Sequence, residues 1–217
     1  TRTVISVDMR NHGDSAHLPG HSYFDLAGDL ADVIRAQAGP VDVIGHSMGG
    51  KAAMVLALTA PELVNRLVVA DIAPVAYSHT QMPLVLAMQA LDLSQITSRK
   101  DADQALAAAI PEAGVRAFLI QSLDLRADPK RWKLNLDALA DQMPLILGFP
   151  EVSGQFTGPA QFLAGGASDY VTPDSHGKIT QLFPSAQFDT LPGVGQWLHA
   201  EAPGPFLDAV TGFLDQI

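Results

Sequence analysis

Ser47 lies in the string Gly45-His46-Ser47-Met48-Gly49, within "IGHSMGG". A serine with a glycine two residues to either side, placed after an apolar run and before a helical pattern, marks a sharp strand-to-helix turn that presents the hydroxyl. The chemistry this permits is nucleophilic attack on an acyl carbonyl. Backbone angles on such a turn are strained, and the small flanks Gly45 and Gly49 let strand and helix approach. Met48 opens the helix, so its amide and the helix dipole are placed to stabilise an oxyanion. His46 adjoins Ser47, but neighbours on a tight turn point apart, which makes it a structural or pocket-lining residue.

A serine nucleophile needs a base and an acid, and on this kind of turn they follow in the order serine, acid, histidine. Two acids fit. Asp169, in "GGASDYVTP", follows the apolar run 160–165, the usual place, and Asp71, in "ADIAP", ends an earlier run. Aspartate also favours turns for its own reasons, so spacing leaves both open. The base is expected soon after "AQFDTLPG", where the chain reads "GVGQWLHA". Gln196 stands at that position, and its amide forms hydrogen bonds but takes up no proton near neutral pH. His199 is three residues on. One helical turn displaces its ring by about 5 Å, too far to keep the same hydrogen bonds, so packing or capping beside Trp197 is its expected role.

The elements that must position these residues read as α/β. "TVISVD" at 3–8 and "VDVIGHS" at 41–47 read as buried strands, "RLVVADIAP" at 66–74 as a third, and "AQFLAGG" and "AQFDTLPG" as two more. Between them, Tyr23, Leu26, Ala27, Leu30, Val33 and Ile34 share one helical stripe that stops at Gly39-Pro40, and "GGKAAMVLALTAP" is a second helix. Strands that alternate with helices and carry continuous apolar runs predict a mostly parallel sheet flanked by helices. From about 75 to 158 helical patterns take over. The domain reading is therefore a core of 1–74 and 159–217 with a helical cap at 75–158. A last helix is expected over about 204–216.

The 217 residues are 47% hydrophobic and 17% charged, which suits a globular domain with an inserted subdomain. A net charge of −10 with scattered basic residues argues against a nucleic-acid partner. The absence of cysteine removes disulfides, thiolate metal sites and a cysteine nucleophile, and fits the cytoplasm. The longest apolar run falls far short of the ~20 residues of a bilayer span, so no membrane role is expected. His12, His17 and His21 are irregularly spaced in a polar segment and read as a solvated loop, not as metal ligands.

Together "DMRNHGDS", "GHSMGGKAAM", "DIAPVAY", "GGASDYV" and "GQWLHAEAP" resemble the α/β-hydrolase superfamily, specifically the bacterial YbfF-like esterases and the abhydrolase-domain-11 group. The resemblance spans essentially the whole chain. It implies a serine carboxylesterase or acyl-thioesterase that needs no cofactor or metal and acts on a small acyl-ester or acyl-thioester substrate. Ser47 matches the family nucleophile and Met48 one oxyanion donor, and members that use the aspartate of the "DIAP" block bring Asp71 level with Asp169. Two departures stand out. Relatives read G-H-W where this chain has Gly195-Gln196-Trp197, and His199 matches a second histidine they also carry. Relatives also begin with further strands and a helix, roughly 40 residues at ordinary element lengths, including an H-G-x-x-G loop. One of those strands would lie between the strands at 3–8 and 41–45. The chain is thus expected to be a fragment of a larger polypeptide that folds natively only with that segment supplied.

The expected function is hydrolysis of an acyl ester or thioester through a Ser47 acyl-enzyme, impaired because Gln196 occupies the base position. The alternative is a non-catalytic ligand-binding protein on the same scaffold. A helical insert serving as a partner surface is a third and weaker reading. The apolar stripe Met82, Leu84, Val85, Leu86, Met88 and Leu91 is expected to line a pocket for acyl groups of short to medium length.

Overall fold

The computed structural model of the protein describes residues 2–216. Along the chain run α1 (Tyr23–Arg35), β1 (Val41–His46), α2 (Met48–Thr59), β2 (Val64–Ala70), α3 (Met82–Gln89), α4 (Arg99–Leu106), α5 (Ala113–Ile120), β3 (Leu123–Asp124), β4 (Arg131–Trp132), α6 (Leu136–Asp141), α7 (Met143–Leu147), β5 (Ala160–Gly165), α8 (Pro173–Leu182), β6 (Ala186–Leu191), α9 (Leu198–Glu201) and α10 (Pro203–Leu214). They fall into two compact units. One joins the described residues up to Ser22 with Tyr77–Leu147, and the other joins Tyr23–Ala76 with Gly148 onward.

The second unit is built on a parallel sheet of order β1-β2-β5-β6. β5 is buried along its whole length, as expected of a central parallel strand. Register aligns the carboxyl ends: His46 lies opposite Ala70, Ala70 opposite Leu163, and Gly165 opposite Leu191. Side chains that follow these ends therefore emerge along one edge, where open parallel sheets gather their functional groups. α2 is buried continuously from Gly50 to Leu58 and packs against α1, β1 and β2, which explains why it is apolar on every side. The turn from α9 to α10 closes a second core in which Leu198, Val210 and Phe213 meet Val68, Leu163 and Leu191.

The first unit has its own core. Val85, Met88, Ile96, Leu106, Ile120 and Trp132 are buried together. Trp132 donates its indole N–H to the Met88 carbonyl at 3.0 Å, so the one polar atom of the ring is satisfied. A cavity of about 440 Å³, bounded by Met88, Leu91, Arg131, Trp132 and Leu136 among others, lies wholly within this unit and holds none of the residues expected to do chemistry.

Several expectations are corrected. Residues 3–8 form no strand, and Val4 is 85% exposed. A β-branched run has strand propensity, but a strand needs a neighbour to pair its backbone and cover its side chains, and none of the described residues provides one. β1, expected as buried, is an edge of the sheet with Ile44 half exposed. Of the stripe at 82–91, Val85 and Met88 build the first unit's own core and Leu86 faces solvent, while Met88 and Leu91 border the cavity of that unit. The helical block also contains a short antiparallel ribbon, β3–β4. The histidine loop is not solvated throughout. His21 is buried against Asn11, whose Nδ2 donates to His21 Nδ1 at 3.2 Å, and burial lowers the His12 pKa. Fully buried Asn11 also accepts from Leu18 N and Asn135 Nδ2, tying this loop to the N-cap of α6. α8 was not foreseen, although Pro173 and Asp174 in its first turn are start signals. Among the described residues no helix is long and apolar enough to cross a membrane.

Lys51 is among the largest fully buried side chains of the described residues. Its ammonium donates to the Gly148 carbonyl at 2.5 Å and stands 5.6 Å from the centre of the Tyr23 ring. Burial lowers its pKa from 10.5 to about 8. Between those two values the unfolded chain holds a proton that the folded chain has released, so this group makes stability rise with pH across that window. Urea melts should show the wild-type chain gaining up to about 3 kcal/mol on Lys51→Met between pH 7.5 and 10.5. A stability difference that stays flat across that range would refute the assignment.

Candidate active site

Ser47 joins β1 to α2 with φ 51° and ψ −120°, a left-handed backbone that only tight packing around it can hold. The packing is visible at two glycines. A Cβ on Gly45 would lie 2.4 Å from the Gly49 carbonyl oxygen, and one on Gly50 would lie 2.6 Å from Ile72 Cγ2. Gly49, expected from the sequence to be the second small flank, has open space where its Cβ would be, so the demand falls on Gly50 instead. The Ser47 amide donates to the Ala70 carbonyl at 3.0 Å, which continues the sheet register into the turn. Met48 opens α2, as expected, and so sits at the positive end of the helix.

The structure brings Gln196 to Ser47. Its Nε2 donates to Ser47 Oγ at 3.2 Å. The backbone of the same residue is held by His46, whose Nε2–H donates to the Gln196 carbonyl at 2.8 Å. Burial lowers the His46 pKa, partly opposed by that hydrogen bond, and neighbouring His199 lowers it further. His46 thus holds the backbone of Gln196, a structural role of the kind the sequence led us to expect. The exposed ring of His199 packs edge-on against His46, centroids 5.1 Å apart, and also meets Phe206. That is the packing role expected of it.

The two acids differ sharply. Asp71 follows β2 with φ 50° and is fully buried. Its Oδ1 accepts from the Gly165 amide at 2.9 Å and its Oδ2 from the Ser168 hydroxyl. Burial raises the Asp71 pKa, the hydrogen bonds from Ser168 and Gly165 oppose the rise, and the charge of Glu201 adds to it. Asp169, one residue past Ser168, is exposed.

Sequence reasoning missed Ser168 and Glu201. Ser168 carries no signal beyond adjacency to Asp169. Glu201 accepts from the amides of Gly195 at 2.7 Å and Trp197 at 3.1 Å, a loop contact that no periodicity encodes. Among the described residues, no group of three or more histidine, aspartate or glutamate side chains is placed to hold a metal ion.

A parallel sheet whose strand ends carry a strained serine elbow, a buried carboxylate and a third polar side chain against the serine is the architecture of an α/β hydrolase. The chain belongs to the alpha/beta hydrolase family, matched over residues 1–209. It is 44% identical over 222 residues to the sn-1-specific diacylglycerol lipase ABHD11 of Mus musculus, covering 98% of this chain and 72% of that protein. Its identity to the esterase YbfF of Escherichia coli (strain K12) is 37% over 215 residues, covering 98% and 82%. A solved marine microorganism esterase matches with a TM-score of 0.89 at 36% identity, covering 94% of this chain and 82% of that one. The resemblance read from the sequence is borne out, and the chain is an enzyme-family member of the esterase and lipase lineage.

The glycine geometry yields a discriminating pair of substitutions. Gly50→Ala should destabilise the fold by about 1–3 kcal/mol through overpacking against Ile72. Gly49→Ala should be neutral or stabilising by up to about 1 kcal/mol through helix propensity. Thermal melts of the two variants decide, and equal behaviour would show that the elbow is not the tight point.

Proposed function

We propose that this chain is a serine ester hydrolase in which Ser47 attacks an acyl ester or acyl thioester, and in which Gln196 occupies the general-base position and impairs turnover. The observation that carries the reading is the hydrogen bond between Gln196 Nε2 and Ser47 Oγ. It supports reading residue 196 as the base position, yet runs in the wrong direction. The amide donates to the oxygen, whereas a base must accept the proton that leaves it. With histidine there, the imidazole would take the Ser47 proton as Oγ bonds to the acyl carbon, the Met48 amide would face the oxyanion, and the imidazolium would return the proton to the leaving group.

Of the two acids, Asp71 is the better candidate for orienting that histidine. Its carboxylate is buried, fixed by two donors and held on a strained backbone, while Asp169 is exposed. Strain maintained at a strand end by surrounding packing is the pattern of a functional residue. Relatives named as an esterase and as a diacylglycerol lipase support a carboxylic ester as the substrate.

The test is hydrolysis of p-nitrophenyl butyrate by the chain, with any preceding segment of the natural polypeptide restored. Gln196→His should raise kcat/KM at least about a hundredfold, and adding Ser47→Ala should abolish the gain. In the Gln196→His background, Asp71→Asn should cost about a hundredfold or more. Asp169→Asn should cost less than about threefold, as an exposed surface substitution. A folded Gln196→His protein with no gain would overturn the triad reading and leave a ligand-binding protein on a hydrolase scaffold.

A further inference from the structure

The peptide of Gln196 is gripped on three sides. Glu201 Oε2 accepts the Gly195 amide and Glu201 Oε1 accepts the Trp197 amide, so a single carboxylate spans the residue from both sides. His46 holds the carbonyl between them. Opposite Glu201, Gly165 lets the loop approach the end of β5 closely: a Cβ there would lie 2.3 Å from the Gly195 carbonyl oxygen. Glu201 itself is set by α9, whose first turn returns its amide to the Trp197 carbonyl at 2.8 Å. The helix is only Leu198–Glu201, too short to orient the loop by its own stability, and Leu198 anchors it in the core shared with Val210 and Phe213.

We infer that Glu201 is a positioning residue: its carboxylate, by accepting the Gly195 and Trp197 amides together, fixes the backbone of residue 196 and thereby aims that side chain at Ser47 Oγ. This rests on the reading of residue 196 as the general-base position. The physical basis is geometric. A carboxylate offers two acceptor oxygens, and hydrogen bonds to an ionised acceptor are about twice as strong as neutral ones. A carboxamide offers one oxygen and turns a donor toward the second amide. An alanine offers neither.

Two measurements test it. The first uses the chain with Gln196 in place. Hydrogen exchange at the Gly195 and Trp197 amides should accelerate about tenfold or more in Glu201→Ala, with the amides of β2 and β5 unchanged. Glu201→Gln should fall between, with only one of the two amides released, and it serves as the readable variant if the alanine form does not fold. The second uses the Gln196→His background, where Glu201→Ala should lower kcat about a hundredfold, Glu201→Gln should recover part of it, and KM should stay within about twofold, the signature of a misplaced base with intact substrate binding. A uniform rise in exchange over the whole unit, or, where Gln196→His is active, a kcat unchanged by Glu201→Ala, overturns the clamp. If Gln196→His is inert while the two amides still exchange faster in Glu201→Ala, the hydrolase reading fails and the clamp on residue 196 stands.

Discussion

The close approach of β1 and α2 around Ser47 is the constraint on which the rest of the site depends. Gly45 touches the start of the helix and Gly50 touches Ile72, so the turn has no room for side chains on those two sides. Ser47 is forced to a positive φ, and the energy of that backbone is offset by the burial of the helix behind it. A looser turn would relax the serine and lose its orientation. The same contact reaches the end of the neighbouring strand β2, because Ile72 lies one residue past Asp71. The Ser47 turn and the segment after Asp71 are therefore packed against each other through the Ile72 side chain.

The parallel register extends this arrangement. Ser47 hydrogen-bonds to the end of β2, and Asp71 hydrogen-bonds through its own amide to Leu163 of β5 at 2.9 Å and through its carboxylate to Gly165. Gly166 in turn donates to Leu191 at the end of β6. Each polar loop is thus tied to the next strand, from the elbow to the loop that carries Gln196. Backbone groups that would be orphaned where the sheet ends are satisfied by the neighbouring loop, which gives the loops the rigidity of the strands they follow. Positions that catalysis requires within fractions of an ångström can be held in this way without a bound metal or ligand.

Gln196 meets Ser47 through an amide that donates a hydrogen bond and takes up no proton near neutral pH. Its amide satisfies the serine hydroxyl, so no buried polar group is abandoned by the change. His46 Nε2–H is engaged with the Gln196 carbonyl, so that nitrogen is not free to take a proton from Ser47. The stability of the site and its reactivity are in this sense separate properties: a hydrogen-bond network can be complete whatever the basicity of the side chains in it.

Much of this was legible in the sequence. The parallel α/β class, the strand-to-helix elbow, the buried helix after it and the position of residue 196 all follow from local patterns of period, glycine placement and triad order, because each is set within a dozen residues. Other features were decided by tertiary contacts. The run at 3–8 has the composition of a strand but no pairing strand among the described residues, and pairing is a property of two segments. Asp71 and Asp169 were equivalent as letters, and only burial, a positive φ and donors from Gly165 and Ser168 separate them. Gly50 rather than Gly49 bears the steric demand because Ile72 is folded against it. Lys51 sits in an apolar helix where the sequence offers no partner, and its acceptor at Gly148 is 97 residues away. Short-range patterns specify the elements and the order of the reactive groups. Which of those groups is buried, strained or clamped depends on contacts between segments far apart in the chain, and no local pattern encodes those.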